Sequence, residues 1–119
     1  MYSNTWTVDV TRVLTRRELA TVLADAADDP NVSYQLAKCC RALGETEAAR
    51  KHYERAVDLA PRRIEWRYDF ATFLHSLETD NARREALVEC ETILRQYPGW
   101  GPAANLRATL LSELNIRNK

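Results

Sequence analysis

Hydrophobic residues recur at three- and four-residue intervals through most of the chain, which is the spacing of amphipathic helices. Only the first stretch differs, because residues 2–14 alternate polar residues with Trp6, Val8 and Val10. That stretch is too short to build a sheet, so we interpret residues 1–14 as an extended N-terminal arm. After it, the periodicity predicts six helices joined by short turns, as in antiparallel helix pairs. The predicted inward positions are, helix by helix, Leu19, Val22, Leu23 and Ala26; Leu36, Ala37, Cys40 and Leu43; Ala49, Tyr53, Ala56, Val57 and Leu59; Ile64, Trp66, Phe70, Ala71, Leu74 and Leu77; Ala86, Leu87, Cys90, Ile93 and Leu94; and Leu106, Leu110, Leu111 and Leu114.

Capping and turn residues separate the six predicted helices. Thr15 and Glu18 form a capping box at the start of the first helix. Gly44 closes the second helix, as glycine does just beyond a helix C-terminus. The other boundary signals are Asp28, Asp29, Pro30 and Asn31 between the first two helices, Pro61 and Pro98 after the third and fifth, Asp80 or Asn81 as the cap of the fifth, and Pro102 in the first turn of the last. The last helix runs to Leu114, followed by a polar tail at 115–119.

The hydrophobic stripes repeat along the chain. The offset between matching positions is first 34, as from Leu36 to Phe70, and then 37, as from Ala49 to Ala86. At the offset of 34, the positions Leu36, Ala37, Cys40 and Leu43 match Phe70, Ala71, Leu74 and Leu77. At the offset of 37, Ala71, Leu74 and Leu77 match Ala108, Leu111 and Leu114. At the same offset, Ala49, Tyr53, Ala56 and Pro61 match Ala86, Cys90, Ile93 and Pro98. The change of offset predicts a three-residue insertion in the turn around Glu78–Asn81. A register that is kept on both sides of an insertion indicates a structural repeat.

These residues resemble the tetratricopeptide repeat family, whose units of about 34 residues place small residues where two helices cross and a proline after the second helix. The first full copy matches at Leu36, Ala37, Gly44, Ala49, Tyr53, Ala56 and Pro61, and the second at Phe70, Ala71, Ala86 and Pro98. The sequence departs from the family at Glu78, Cys90 and Arg107. The resemblance implies an all-α, right-handed α-solenoid of antiparallel helix pairs over residues 15–114, in which residues 15–28 are a degenerate second helix of an earlier unit.

The resemblance also implies a binding surface, because the first helix of each unit lines the concave side of such a solenoid. The family's contact positions are the second, fifth, ninth and twelfth residues of a unit. Carried over to this chain, they include Tyr34, Lys38, Arg41, Glu65, Tyr68, Thr72, His75, Asn105, Thr109 and Ser112. Tyr34 and Tyr68 would form an aromatic step beside Lys38 and Arg41, and aromatic residues and arginine are enriched where proteins bind one another. We hypothesise a groove for an extended peptide or a helix, with some preference for acidic groups; ordinary solvated side chains are the alternative interpretation.

Some family members bind a C-terminal carboxylate through a pattern of Lys and Asn residues across three units. This chain has Lys38 and Asp69 at Asn positions and Pro102 at a Lys position. The resemblance therefore does not imply that particular activity.

Charge is balanced along the chain, with 17 Lys and Arg residues against 17 Asp and Glu residues. Proteins that bind nucleic acid usually carry a basic region, so no nucleic-acid partner is expected. The arginine clusters at 16–17, 62–67 and 83–84 each have acidic neighbours in sequence, and we interpret them as solvated surface rather than as phosphate sites.

No motif in the sequence indicates an enzyme, a cofactor or a metal. Only His52 and His75 offer an imidazole base, and no nucleophile motif, phosphate-binding glycine loop or paired metal-ligand spacing is present. The three cysteines, Cys39, Cys40 and Cys90, make a poor disulfide framework, and the last two fall on inward stripes. No apolar run reaches the ~18 residues that cross a bilayer. We expect a non-catalytic, cytoplasmic protein without catalytic residues, metal, cofactor or membrane insertion.

Two other functions are compatible with the same residues. A helical repeat can be an accessory or regulatory module of a larger enzyme or complex. It can also form a homodimer, for which the candidate contacts are Trp6, Trp100, the exposed end of the last helix and the alternating N-terminal arm. The sequence alone leaves open whether these 119 residues are a whole protein or one part of a longer one.

Overall fold

A computed structural model describes residues 29–118, which form five α-helices and no strand. The helices are α1 (Pro30–Ala42), α2 (Thr46–Leu59), α3 (Ile64–Ser76), α4 (Asp80–Gln96) and α5 (Gly101–Asn118). They correspond to the second to sixth helices predicted from the sequence, and the all-α helical-repeat fold is confirmed. The predicted arm at 1–14 and the predicted helix at 15–28 lie outside the described residues.

The hairpin of α1 and α2 begins and turns where the sequence predicted. Asp29 caps α1, because its Oδ1 accepts a hydrogen bond from the backbone nitrogen of Asn31 at 2.9 Å. At the other end, Gly44 takes a φ of +78°, and the nitrogen of Glu45 donates to the carbonyl of Cys40 at 2.8 Å. A left-handed residue at this position satisfies the last carbonyls of a helix and reverses the chain into the next one.

The turn from α3 to α4 has the same length but a different chemistry. Glu78 occupies the place of Gly44 and also has a positive φ, +57°, without the freedom of glycine. The cap of α4 is Thr79, whose Oγ1 accepts from the nitrogen of Ala82 at 3.1 Å. The prediction of Asp80 or Asn81 as cap was wrong, because the helix begins one residue earlier than its polar run suggested.

The three inserted residues are helical, which corrects the prediction that they lengthen a turn. The turns at 43–45 and at 77–79 both contain three residues, whereas α2 has 14 residues and α4 has 17. Three residues add almost one helical turn, about 4.5 Å of length. The additional turn carries Ala82, which is buried in the core together with Ala86 and Cys90.

Small residues lie where the helices approach one another, and larger ones fill the space between them. Ala37, Ala49, Ala71 and Ala86 are fully buried, and so is the bulky Tyr53. Contacts join consecutive helices throughout α1 to α5 and also connect α3 with α5. Each helix pair therefore packs mainly on its neighbours, which is the arrangement of a stacked repeat.

Several predicted inward positions are exposed, most clearly at helix ends and on α5. Leu43 and Leu59, each next to a turn, are 45% and 39% exposed, and Leu111 is 39% exposed. On α3 the equivalent residues, Ala71 and Leu74, are fully buried in the core. No described helix follows α5, so its corresponding face stays open. Conversely, Phe73, Ala82 and Ala103 are buried although the sequence analysis did not place them inward, and α5 continues four residues beyond Leu114.

Candidate functional site

A carboxylate on α3 joins three side chains from α1 and α2. The Oδ2 atom of Asp69 accepts hydrogen bonds from the hydroxyls of Tyr34 at 2.9 Å and Tyr53 at 3.2 Å. Its Oδ1 atom accepts from Nη1 of Arg41 at 3.1 Å, and the same nitrogen donates to the Tyr53 hydroxyl at 3.3 Å. Two residues predicted as partner contacts, Tyr34 and Arg41, are therefore held in place by a polar network between helices.

The network forms one wall of a cavity on the surface of α1 and α3. The cavity has a volume of about 330 Å³ and is lined by Lys38, Arg41, Ala42, Tyr53 and Asp69. The Arg41 side chain remains 35% exposed and that of Asp69 26% exposed. Two cations and one carboxylate thus line a concave space, and solvent reaches all three.

Both tyrosine hydroxyls of the network are donors at neutral pH. Burial, together with the hydrogen bond to Asp69, raises the pKa of Tyr34 to about 12. Burial also raises the pKa of Tyr53, although the hydrogen bond from Arg41 acts in the opposite direction. Because neither hydroxyl ionises near neutrality, the Asp69 carboxylate keeps its donors over the physiological pH range.

Aromatic rings connect α1 to α3 beside this cavity. The ring of Tyr34 stacks on that of Trp66, with centroids 4.6 Å apart and an angle of 11° between the planes. The Lys38 ammonium lies 5.2 Å from the centroid of the Tyr34 ring, and the Arg63 guanidinium lies 4.8 Å from that of Trp66. Both distances are within the range of cation–π attraction.

A contact between a tyrosine and a tryptophan recurs in the next unit, with a different angle between the rings. Tyr68 packs edge-on against Trp100, with centroids 5.3 Å apart. The sequence offset is identical in the two pairs, from Tyr34 to Trp66 and from Tyr68 to Trp100. Tyr34 and Tyr68 therefore each face forward onto the following unit rather than onto one another. The aromatic step predicted from the sequence is in fact two tyrosine–tryptophan pairs.

A second carboxylate joins α3, α4 and α5. The side chain of Glu113 accepts from Nε of Arg83 at 3.1 Å and lies 3.1 Å from Nε2 of His75. Desolvation disfavours the charged form of Glu113, but the hydrogen bonds with His75 and Arg83 and their charges outweigh it, so the pKa of Glu113 is lowered. His75, predicted as a partner contact, is thus committed to an interhelical pair.

The other predicted contact residues are spread along the A-helices, meaning the first helix of each unit, α1, α3 and α5. Glu65, Asn105 and Thr109 are exposed, as is Ser112, whereas Thr72 is partly buried. The hydroxyls of Thr72 and Thr109 donate to backbone carbonyls of their own helices, at 2.7 Å and 3.1 Å. Their role in binding stays a prediction.

The sequence did not indicate Trp66 or Glu113 as members of this surface. Trp100 was predicted only as a dimer contact, and Asp69 was noted only as a departure from the family's carboxylate-binding pattern. One signal was available for Asp69, because a charged residue on a largely apolar helix requires a partner. The constant tyrosine–tryptophan spacing was a second signal, which a comparison of the two units would have found.

The described residues contain no cluster of three His, Cys, Asp or Glu side chains that could hold a metal ion. Cys40 and Cys90 are buried as predicted and Cys39 is exposed, and burial raises the pKa of the Cys90 thiol to about 11. Burial, with Arg55 and Lys51 nearby, lowers the pKa of His52. None of the helices α1 to α5 combines the length and the apolar character that a membrane span requires.

Stacked helix pairs with a polar, aromatic surface along the A-helices define this chain as a helical-repeat protein. A family model described as the tetratricopeptide repeat matches residues 30–73, which comprise α1, α2 and most of α3. The match supports the recognition of the tetratricopeptide repeat that was made from the residues. A search of curated proteins found no match.

Proposed function

We propose that this protein is a non-enzymatic scaffold that binds a peptide or helix of a partner protein on the surface formed by α1 and α3. Tetratricopeptide repeats generally mediate interactions between proteins, and the family is typically not catalytic. A cytoplasmic location and the absence of a nucleic-acid partner are part of the same proposal.

The cavity beside Asp69 is the observation that carries this proposal. Both hydrogen bonds that Arg41 makes with other described residues use Nη1, so Nη2 and Nε can still donate to a ligand. Lys38 has no carboxylate partner among residues 29–118. Since arginine and lysine nitrogens bind carboxylates strongly, the cavity suits an acidic side chain of a partner.

A peptide-display selection on the full chain tests the proposal. Peptides selected by the protein should contain Asp or Glu, and Lys38→Ala should weaken their binding about fivefold, as loss of one interfacial charge commonly does. Lys51→Ala is the matched control, because Lys51 is an exposed lysine on α2 outside the cavity. Selected peptides that bind wild type and the Lys38 variant equally would reject the concave site.

Self-association is a second candidate, and one specific observation favours it. The face of α5 that carries Ala108 and Leu111 is exposed, whereas the equivalent residues of α3, Ala71 and Leu74, are fully buried. An accessory role in a larger enzyme or complex would use the same concave surface, with the partner as part of that complex.

A further inference from the structure

Four side chains form a single stack across α1 and α3. The rings of Tyr34 and Trp66 are nearly parallel, so the sides that face each other are occupied. Lys38 and Arg63 must then lie over the outer sides, which gives the order Lys38, Tyr34, Trp66, Arg63. We call this set the cation-ended stack.

The stack limits the distance between two positive charges. The three successive separations are 5.2, 4.6 and 4.8 Å, and the distance from the Lys38 ammonium to the Arg63 guanidinium cannot exceed their sum. Both residues are exposed, and neither has a carboxylate partner among the described residues. Each cation lies against a ring that is itself held by the core or by Asp69, since Trp66 is 7% exposed and Tyr34 is bonded to that carboxylate.

Two cations that are already held in place lose less side-chain freedom on binding than two mobile ones would. Along an extended peptide, residues two apart and four apart both point to the same side, at about 7 Å and about 13 Å, and both spacings lie within the limit set by the stack. Because two rings lie between the cations, the longer spacing suits the stack better. A partner with acidic residues at this spacing would therefore match both the charge and the geometry of the stack.

We propose that the cation-ended stack of Lys38, Tyr34, Trp66 and Arg63 docks an extended acidic peptide of a partner protein, with two carboxylates four residues apart on the two terminal cations. This inference rests on the proposed function and specifies its ligand. Glu65 is the exposed acid on the adjoining first turn of α3, and its charge opposes the ligand. The balanced charge of the whole chain favours a peptide over a nucleic acid, which would require a wider basic surface.

NMR titration of the uniformly ¹⁵N-labelled full chain tests the spacing. The probes are synthetic ten-residue peptides of Ser and Thr that carry two Glu residues four apart, two Glu residues three apart, or two Gln residues four apart. The first should bind at least about fivefold more tightly than the second, whose carboxylates point to opposite sides of an extended chain. The indole N–H of Trp66 should shift with the first peptide, because that ring lies within the stack.

Charge variants test the two terminal cations. Lys38→Gln and Arg63→Gln should each weaken the first peptide about fivefold. Lys51→Gln and Arg62→Gln are matched controls, which remove the same charges from exposed residues outside the stack and should change binding less than twofold. Glu65→Gln should strengthen binding, since it removes the opposing carboxylate.

Three outcomes would overturn the stack as a docking site. The first is equal binding of the two Glu peptides. The second is an equal effect of Arg62→Gln and Arg63→Gln on binding of the first peptide. The third is a single-stranded oligothymidine that binds as tightly as the first peptide and depends on Lys38 and Arg63 to the same degree. Failure of the spacing test while display-selected peptides still depend on Lys38 would reject this inference and leave the proposed function standing. Failure of the spacing test, together with display-selected peptides that do not depend on Lys38, would reject both this inference and the proposed function.

Discussion

At the scale of single residues, the left-handed turn positions of the two hairpins offer a direct comparison. Gly44 and Glu78 have φ values of +78° and +57°, and they occupy equivalent places after α1 and α3. A side chain disfavours this conformation by about 1 kcal/mol, because its Cβ approaches the following carbonyl oxygen. The second hairpin therefore carries a backbone cost that the first avoids.

Replacing Glu78 with glycine should raise the free energy of unfolding by about 1 kcal/mol, because it relieves this conformation. Gly44→Ala should lower it by a similar amount. A Cβ at Gly44 would meet no atom within 4 Å, so the loss would arise from the backbone alone. Urea denaturation followed by circular dichroism measures both changes. A stabilised Gly44 variant or a destabilised Glu78 variant would contradict this explanation.

Residue positions along helices could be predicted more completely than residue partners. Periodicity gave the burial of Ala37, Tyr53 and Cys90 correctly, since it fixes which side of a helix a residue occupies. It could not show that Tyr34 bonds to Asp69, 35 residues away, because that contact depends on how two helices are placed in space. The inward side of each helix was therefore predicted from the sequence, but the hydrogen bonds between helices were not.

At the scale of helices, Glu113 links three of them through one carboxylate. Its lowered pKa means that the folded protein releases this proton more readily than the unfolded chain does. Glu113 therefore stabilises the fold above its ordinary pKa, and the contribution is lost as the pH falls through the lowered value.

Glu113→Gln should reduce the free energy of unfolding at pH 7 by less than about 1 kcal/mol, because the pair is partly exposed and screened by solvent. The difference from wild type should shrink as the pH is lowered into the acid range, where both forms are uncharged. Urea denaturation at a series of pH values measures this difference in unfolding free energy. Glu65→Gln is the control, because the Glu65 carboxylate does not join three helices as Glu113 does. A difference that grew in acid would contradict the sign of this shift.

Helix boundaries were predicted best where the backbone itself requires a particular residue. Pro61 and Pro98 follow the ends of α2 and α4, and Gly44 lies just beyond α1, as expected from their restricted or permissive backbones. The start of α4 was predicted less well, because Thr79, Asp80 and Asn81 are all good caps. Only the structure shows that the inserted residues extend a helix.

At the scale of the whole molecule, the face of α5 that no described helix covers provides the clearest test. Leu74 and Leu111 are equivalent in the repeat, but Leu74 is fully buried and Leu111 is 39% exposed. Leu74→Ala should cost about 2–5 kcal/mol of unfolding free energy, as expected for a leucine truncated in a packed core. Leu111→Ala should cost less than about 1 kcal/mol.

Thermal or urea denaturation of both variants measures this contrast, and light scattering over a range of concentrations accompanies it. Similar costs for the two leucines, together with a mass that rises with concentration, would show that a second copy covers α5. Similar costs with a constant monomeric mass would mean instead that the equivalence of the two positions has been misjudged.

The forward packing of each tyrosine onto the tryptophan of the following unit has a consequence for how the protein can be divided. A fragment cut after Pro61 keeps both helices of its own hairpin but leaves uncovered the side of the Tyr34 ring that stacks on Trp66. The hydroxyl of that tyrosine would lose its acceptor as well, because Asp69 lies beyond the cut. Because each unit packs a side chain on the first helix of the next unit, an excised domain must extend one helix past the hairpin that it is meant to contain.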